Sequence, residues 1–539
     1  MLQQREEHYS GIEEMLDPKK SFHPVYDKLF HKDQGIPFFS KIGEETILDR
    51  TRGYLVGVFN SDEQNTIRAL SNLNPLQLRL NPGLNSFYGG FYYYTSGAFL
   101  LGTKLVGLAQ FPSDLKFYFS HPQETQKMYL AVRLLSALSV FLTLCLLLFC
   151  TSKFIEIKVS TLASLFFVLI PLLVPYSHMA KAHTYGMFLT FLGFLFIGKT
   201  FKDTSTKNYI LGGLFLGLSA GTIITNLTVG IILFFAEWIR NQWSLFQVFK
   251  SKKFWIAVLT FFVVYFLTNY YVFTHLSNFQ RSVLALKEYT SGYDEYGKLN
   301  LKNWFPFLKD MFTNQIHWSY LPWLLLGCYP VLKSKNPFLQ VTLLSFVFLT
   351  LFNLTLTRHA GINLRVFPFI AILSAYGFQQ IFQKRWVVLK IFSIALLFLT
   401  LFLSGAQTLF YTSLYQGPSH LTQAGNWINQ NIPKGESIGV IGTQFSQNSF
   451  PPFHFLNYSL ISFPNSSQKE KLGTVPLGTV PNFPTYVVTS IPQEEHPILS
   501  SQYRIIQNWK SPNKFLGIYF PSRWALNEKT DLSIYKKSQ

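Results

Sequence analysis

Apolar residues along this 539-residue chain gather into long runs separated by short, mostly basic intervals. The runs fall near 130–150, 159–176, 183–199, 208–237, 254–275, 316–332, 337–357, 363–383 and 386–410. Roughly 20 predominantly apolar residues carry a helix across a hydrocarbon core about 30 Å thick, so the pattern predicts a bundle of membrane-spanning helices. The run at 208–237 would be about 45 Å long as one helix at 1.5 Å per residue. That is too long for one comfortable crossing, and a tight pair of short helices turning near Ser219 to Asn226 is expected instead. The segment 87–109, FYGGFYYYTSGAFLLGTKLVGLA, mixes glycines, aromatics and Lys104. It suits a helix lying in the interface with its rings at headgroup depth.

The intervals set sides. Lys153 with Lys158, then Lys199, Lys202 and Lys207, then Arg240, Lys250, Lys252 and Lys253, then Lys333 with Lys335, and finally Lys384 with Arg385 close successive crossings. Short cytoplasmic loops are enriched in Lys and Arg. With 208–237 counted twice, all these cations share the cytoplasmic side and about ten crossings result. The external parts are then everything before about 130, the loops at 177–181 and 357–362, the stretch 276–315, and the tail. Four regions follow: a polar N-terminal segment (1–57), an external acidic loop with juxtamembrane helices (58–129), a transmembrane helical domain (130–410) and an external soluble α/β domain (411–539). In the tail AGNWINQNIP reads as a helix with a Pro stop, and SIGVIG, TYVVTS, YRIIQNW and LSIYKK read as strands.

Composition agrees with the runs: 48% of residues are hydrophobic and only 14% charged, where soluble chains carry about 25% charged residues. The net charge of +19 is dealt out between apolar runs, whereas nucleic-acid binding needs it gathered on one solvated face. Nucleic acid is therefore excluded as a partner. Cys145, Cys150 and Cys328 all lie in apolar runs, which gives neither a disulfide framework nor a thiolate metal site. No phosphate-binding glycine loop, dinucleotide fingerprint or nucleophile elbow occurs in a suitable setting.

Chemistry concentrates where external segments meet the bilayer. Asp62 and Glu63 stand side by side just before NPLQLRLNPG and the aromatic segment. A carboxylate in an external loop is ordinarily solvated and idle; one held over the bilayer becomes a general base, because partial burial raises its pKa toward the working range. Arg133, Lys181, Arg358 and Arg365 flank external ends of crossings. Singly each would snorkel to lipid phosphates, but together they suit a phosphate clamp. His178, His183, Tyr88 and Tyr92 are candidate substrate contacts. The five-residue spacing of His178 and His183 is off the helical spacing a zinc pair uses, so no metal ligands are assigned. A divalent ion at Asp62 or Glu63 is the one cofactor the residues leave open.

The order of these pieces resembles the GT-C class of membrane glycosyltransferases, in the protein O-mannosyltransferase and aminoarabinose-transferase branch. The resemblance rests on SDEQNTIRALSNLNP, LNPGLNSFYGGFYYYTSGAFLLGTKLVG, YLAVRLLSALSVFLTLCLLL, GGLFLGLSAGTIITNLTVGIILF, LRVFPFIAILSAYG and AGNWINQNIPKGESIGVIG, covering most of residues 58 to 442. It implies an external active site, Asp62 as catalytic base, a polyprenyl-phosphate-linked sugar donor entering from the bilayer, a hydroxyl acceptor on protein, lipid or glycan, and inversion by direct displacement. It also implies a crossing ahead of the acidic pair, which would make eleven; the first 50 residues hold no apolar segment for it. Where the family often carries a second acid, this chain has YSHMAKAHTYG.

Two other classes compete. A lipid-linked sugar flippase would place charges near the midplane in broken helices, with Gly217 to Asn226 as the candidate. A noncatalytic envelope assembly protein would need its tail and not Asp62. The Lys-rich loops fit a bacterial inner membrane.

Overall fold

The computed structural model describes residues 61–78, 80–82, 88–111, 117, 121–276, 280, 304–356, 360–440, 451–454, 457–462, 483–512, 514–515, 518–519 and 531–538. Residues 1–60, Arg358 and residues 473–481 lie outside them. Contacts divide the chain into two compact units, one of Arg68–Phe99 and Ala131–Tyr411, the other of Met1–Ile67, Leu100–Leu130 and Thr412–Gln539.

Helix α1 spans Ser61–Ser71 and α2 Gly90–Leu105. The apolar runs then become α3 (Pro122–Cys145), α4 (Ile157–Val168), α5 (Leu173–Ser177), α6 (Ala182–Lys199), α7 (Thr206–Ala220), α8 (Ile231–Arg240), α9 (Lys252–Thr268), α10 (Trp304–Asp310), α11 (Tyr320–Lys333), α12 (Pro337–Leu356), α13 (Phe367–Phe382) and α14 (Val387–Leu414). Among the described residues four stretches, Gln123–Lys153, Pro337–Leu354, Ala360–Phe382 and Val387–Leu414, are individually long and apolar enough to cross a membrane. The protein is a polytopic helical membrane protein with a small C-terminal α/β region.

The breaks have causes in the sequence. The 159–176 run splits at Pro171, which lacks an N–H and cannot continue α4. The carbonyl of Leu169 freed there accepts from Ser404 and from Thr408 Oγ1 (2.9 Å) on α14, and Leu172 N donates to Gln315 O at 3.1 Å. The 208–237 run breaks after Ala220 and resumes as a 3-10 helix, Ile224–Gly230, leading into α8. This is the tight pair the length of the run calls for. Along α7 the stripe Gly213, Gly217, Gly221 lies on α9: a Cβ at Gly213 would sit 2.3 Å from Ala257 O, and one at Gly217 2.6 Å from Phe261 O. Small residues four apart let helices approach closely in a membrane.

At one end of this unit the Lys-rich intervals meet one another. Lys202 Nζ donates to Lys153 O, Asn336 Nδ2 to Phe154 O (3.0 Å), Lys253 Nζ to Thr204 O (2.7 Å), and Arg240 to Thr200 Oγ1. Gln379 Nε2 reaches Glu156. Four connections between helices, with the last turn of α13, thus share one end.

In the C-terminal unit α15 (His420–Asn431) starts at Ser419, whose hydroxyl accepts from Thr422 N at 3.1 Å, and stops before Pro433. It buries Leu421, Ala424, Gly425 and Ile428, one helical face. A five-stranded sheet runs β2–β1–β3–β7–β4, with β1 (Ser437–Val440), β2 (Ser459–Ser462), β3 (Tyr486–Thr489), β4 (Tyr503–Trp509) and β7 (Leu532–Lys537). The short pair β5 (Lys514–Phe515) and β6 (Ile518–Tyr519) forms a separate sheet. Strand β1 pairs parallel with β2 and β3, and β7 antiparallel with β3 and β4. Val487, Leu499, Tyr503 and Tyr535 form part of the core beneath it.

Candidate active site

Opposite the Lys-rich end, polar side chains collect where apolar helices break. Arg365 lies in the 3-10 helix Ala360–Val366, every residue of which is buried. A buried guanidinium is costly unless its donors are satisfied, and the chain supplies acceptors from two directions. Nη1 donates to Thr225 O (2.5 Å) and Asn226 Oδ1 (3.1 Å) in the α7–α8 break, and Nη2 to Asn353 Oδ1 on α12. Nε has no partner among the described residues.

The network continues in both directions. Asn353 Nδ2 donates to Asn363 Oδ1 (2.9 Å), and Asn363 Nδ2 to Gln315 Oε1 (2.9 Å). Gln315 Nε2 donates to Asp310 Oδ2 (2.8 Å), whose other oxygen accepts from Asn314 (2.7 Å). On the far side Asn226 Nδ2 donates to Ser219 Oγ (3.0 Å), which also contacts Thr190 Oγ1 at 2.7 Å. Asp310 and Arg365 are thereby joined through three amides. Two residues beyond Gln315, buried His317 adopts φ 89°, strained backbone for a residue with a Cβ.

An aromatic and cationic group packs against the same 3-10 helix. The His183 ring at the start of α6 lies so close to Gly361 that a Cβ there would fall 2.7 Å from it. Tyr88 and Tyr176 meet that ring edge-on at 5.8 and 5.7 Å between centroids. Lys181, buried, sets its Nζ 5.7 Å from the Tyr176 ring centre. Tyr88 is fixed by a bridge to Ile223 in the α7–α8 break, and Tyr92, fully buried, packs on it at 5.8 Å. The neighbouring backbone is held as tightly: Gly90 N donates to Asn269 Oδ1 at 2.9 Å.

Thus Lys181, His183, Tyr88, Tyr92 and Arg365 belong to one cluster, built from segments the charge pattern assigns to a single face. His178 stands apart from the buried part, its ring open to solvent at one edge, with Nδ1–H donating to Val174 O at 2.7 Å. Crowding by the surrounding protein lowers its pKa, the Val174 carbonyl opposes that, and the charge of Arg133 on α3 lowers it further. Asp62 and Glu63 occupy the first turn of α1, where the helix dipole favours negative charge, and the Glu63 side chain is buried. Among the described residues no three of His, Cys, Asp and Glu gather as a metal site would require. The amides of Asn226, Gln315, Asn353 and Asn363, with Asp310 and His317, are residues that sequence reasoning passed over. Single amides inside apolar runs have no spacing to mark them, although their expense in a bilayer was a usable signal.

No protein-family description matches this chain, and no curated protein does. Among solved structures it is similar to the Archaeoglobus fulgidus oligosaccharyltransferase in complex with Zn and sulfate, at 15% identity and a TM-score of 0.44 over 80% of this chain and 64% of that one. It is also similar to ArnT from Cupriavidus metallidurans in the apo state, at 10% identity and 0.45 over 90% and 96%. A third similarity is to Archaeoglobus fulgidus AglB in complex with an inhibitory peptide and a dolichol-phosphate, at 12% and 0.45 over 87% and 73%. The chain spans less than two thirds of the first of these proteins.

Proposed function

We propose that this protein is a membrane glycosyltransferase that moves a sugar from a polyprenyl-phosphate-linked donor to a hydroxyl acceptor at the external face of a bacterial inner membrane. The observation that carries the reading is Arg365: a fully buried guanidinium at a helix mouth, held rigid by amides and carbonyls, with Nε unclaimed among the described residues. Fixed cations help most where charge grows during reaction, and a lipid phosphate leaving group is such a place.

In the proposed displacement the acceptor oxygen attacks the anomeric carbon as its proton passes to the Asp62 carboxylate. The bond from that carbon to the phosphate oxygen breaks, and its electron pair leaves with the phosphate, inverting the sugar. Glu63 shapes the field at Asp62 or fixes the orientation of the acceptor. Arg365, Lys181 and Arg133, with Arg358, hold the departing phosphate, and Tyr88, Tyr92, His178 and His183 border the sugar.

The test is transfer by purified protein from a panel of radiolabelled polyprenyl-phosphate sugars. Asp62→Asn should lower the rate on the order of 100- to 10,000-fold, with donor binding retained. Arg365→Gln should weaken binding of the donor phosphate as well as the rate. Near wild-type transfer by Asp62→Asn would refute the base; unchanged kinetics in Arg365→Gln would refute the clamp.

A further inference from the structure

At the end of the bundle remote from Arg365, the α3–α4 and α6–α7 connections enclose an open cavity of about 430 Å³ lined by Lys153, Phe154, Lys199, Lys202, Asp203 and Asn208. We infer that this cavity binds the phosphate headgroup of an anionic membrane lipid. The charges there are uneven, with three ammonium groups against one carboxylate, and the carboxylate is already engaged. Asp203 accepts from Ser205 N and from Asn208 Nδ2, both at 3.0 Å, in a turn that starts α7.

The other described acids at this end are engaged too. Glu237 accepts from Tyr209 Oη (2.7 Å) and Asn241 Nδ2 (3.1 Å) and pairs with Arg240, while Glu156 accepts from Gln379. Among the described residues none of the three lysines makes an ion pair with a carboxylate. What anchors them is weaker: Lys199 Nζ lies 4.5 Å from the Phe196 ring centre, and Lys202 Nζ lies 5.7 Å from that of Phe154 and donates to Lys153 O. Uncompensated cations lining a cavity attract an anion.

A lipid is favoured over a soluble anion by what adjoins the cavity. Phe149 and Ile157, on the chain just before and after Lys153 and Phe154, are 65% and 57% exposed. Ile210 of α7 is exposed as well. These residues end or begin apolar runs, so their bare faces lie along acyl chains while the lysines stand at headgroup depth. Basic pockets between transmembrane helices recognise anionic headgroups in this way.

The experiment measures binding of the purified full chain to phosphatidylglycerol vesicles against phosphatidylcholine vesicles, together with native mass spectrometry of retained lipid. The triple variant Lys153→Gln, Lys199→Gln, Lys202→Gln should bind phosphatidylglycerol more weakly by on the order of a hundredfold, from about 1 kcal/mol per basic residue near the surface. A control that removes charges elsewhere at this end, Lys384→Gln with Arg385→Gln, should retain the wild-type preference. Asp203→Asn, whose amide oxygen can still accept from Ser205 N but which removes the one negative charge, should tighten binding several-fold, a gain that misfolding cannot imitate. Equal lipid retention by wild type and the triple variant would overturn the inference. So would displacement of the lipid by equimolar inorganic pyrophosphate, which would make the cavity a soluble-anion site.

Discussion

His178 shows how a side chain outside the buried cluster reports on one of the proposed phosphate-holding cations. Its pKa lies below the ordinary histidine value of 6.5, through crowding first and the Arg133 charge last, against the pull of the Val174 carbonyl. A histidine whose folded pKa is depressed favours the neutral form, so the native state takes up a proton less readily than the unfolded chain. Its contribution is present in full above the unfolded value and is lost as pH falls from there through the folded pKa. Unfolding midpoints in detergent, measured on acidification below about pH 6.5, should therefore fall less steeply in His178→Gln than in wild type. Arg133→Gln should raise the His178 pKa toward its ordinary value, read directly from the imidazole proton resonances. An unmoved resonance would mean that Arg133 does not act on this ring. Arg133 and His178 were legible as candidates because cations and histidines at a helix mouth are conspicuous in apolar sequence. The chain of Asn353, Asn363 and Gln315 was not, since which amides meet depends on how distant helices pack.

Helix breaks mark the candidate site at the next scale up. The turn after Ala220, the 3-10 helix Ala360–Val366 and the interruption at Pro171 each free backbone groups inside an apolar bundle, and side chains from other helices satisfy those described here. Length alone made the first break predictable, because 208–237 was too long to cross once. The tail elements were legible as well: the helix falls before its Pro433 stop and the strands β1, β3, β4 and β7 fall on the segments that read as strands, whereas β2 had no comparable signal. The glycines of α7 carry a sharper expectation. At Gly217 even a methyl group meets backbone, Phe261 O, at 2.6 Å. Gly217→Ala should cost about 1–3 kcal/mol, the usual range for overpacking. At Gly102 in α2 nothing lies within 4 Å of the added carbon, so Gly102→Ala should be neutral or stabilise by about 0.5–1 kcal/mol, as a better helix former. Thermal unfolding in detergent distinguishes the two, and equal midpoints would contradict the close α7–α9 approach.

On the scale of the whole bundle, charge and packing sort the loops in the same way. The intervals carrying Lys153, Lys202, Arg240, Lys253 and Asn336 hydrogen-bond to one another or to the same neighbours, and the breaks around Leu172, Asn226, Gln315 and Arg365 do likewise. Loop charge is a property of the sequence that carries no information on contact, so their agreement supports an even set of crossings between α3 and α14. The proposed orientation, with the Lys-rich end toward the cytoplasm, rests on the positive-inside rule and is directly testable. Cys145, Cys150 and Cys328 are first replaced by serine, and single cysteines are then introduced at Lys335 and at His178. In intact cells a membrane-impermeant maleimide should label the His178→Cys protein and leave Lys335→Cys unmodified until the membrane is permeabilised. The reverse pattern would put Arg365 and its network toward the cytoplasm, where an externally delivered acceptor does not reach. Labelling of both without permeabilisation would mean that the two ends are not separated by a bilayer, and the helical passages would then have to be read as the core of a different kind of assembly.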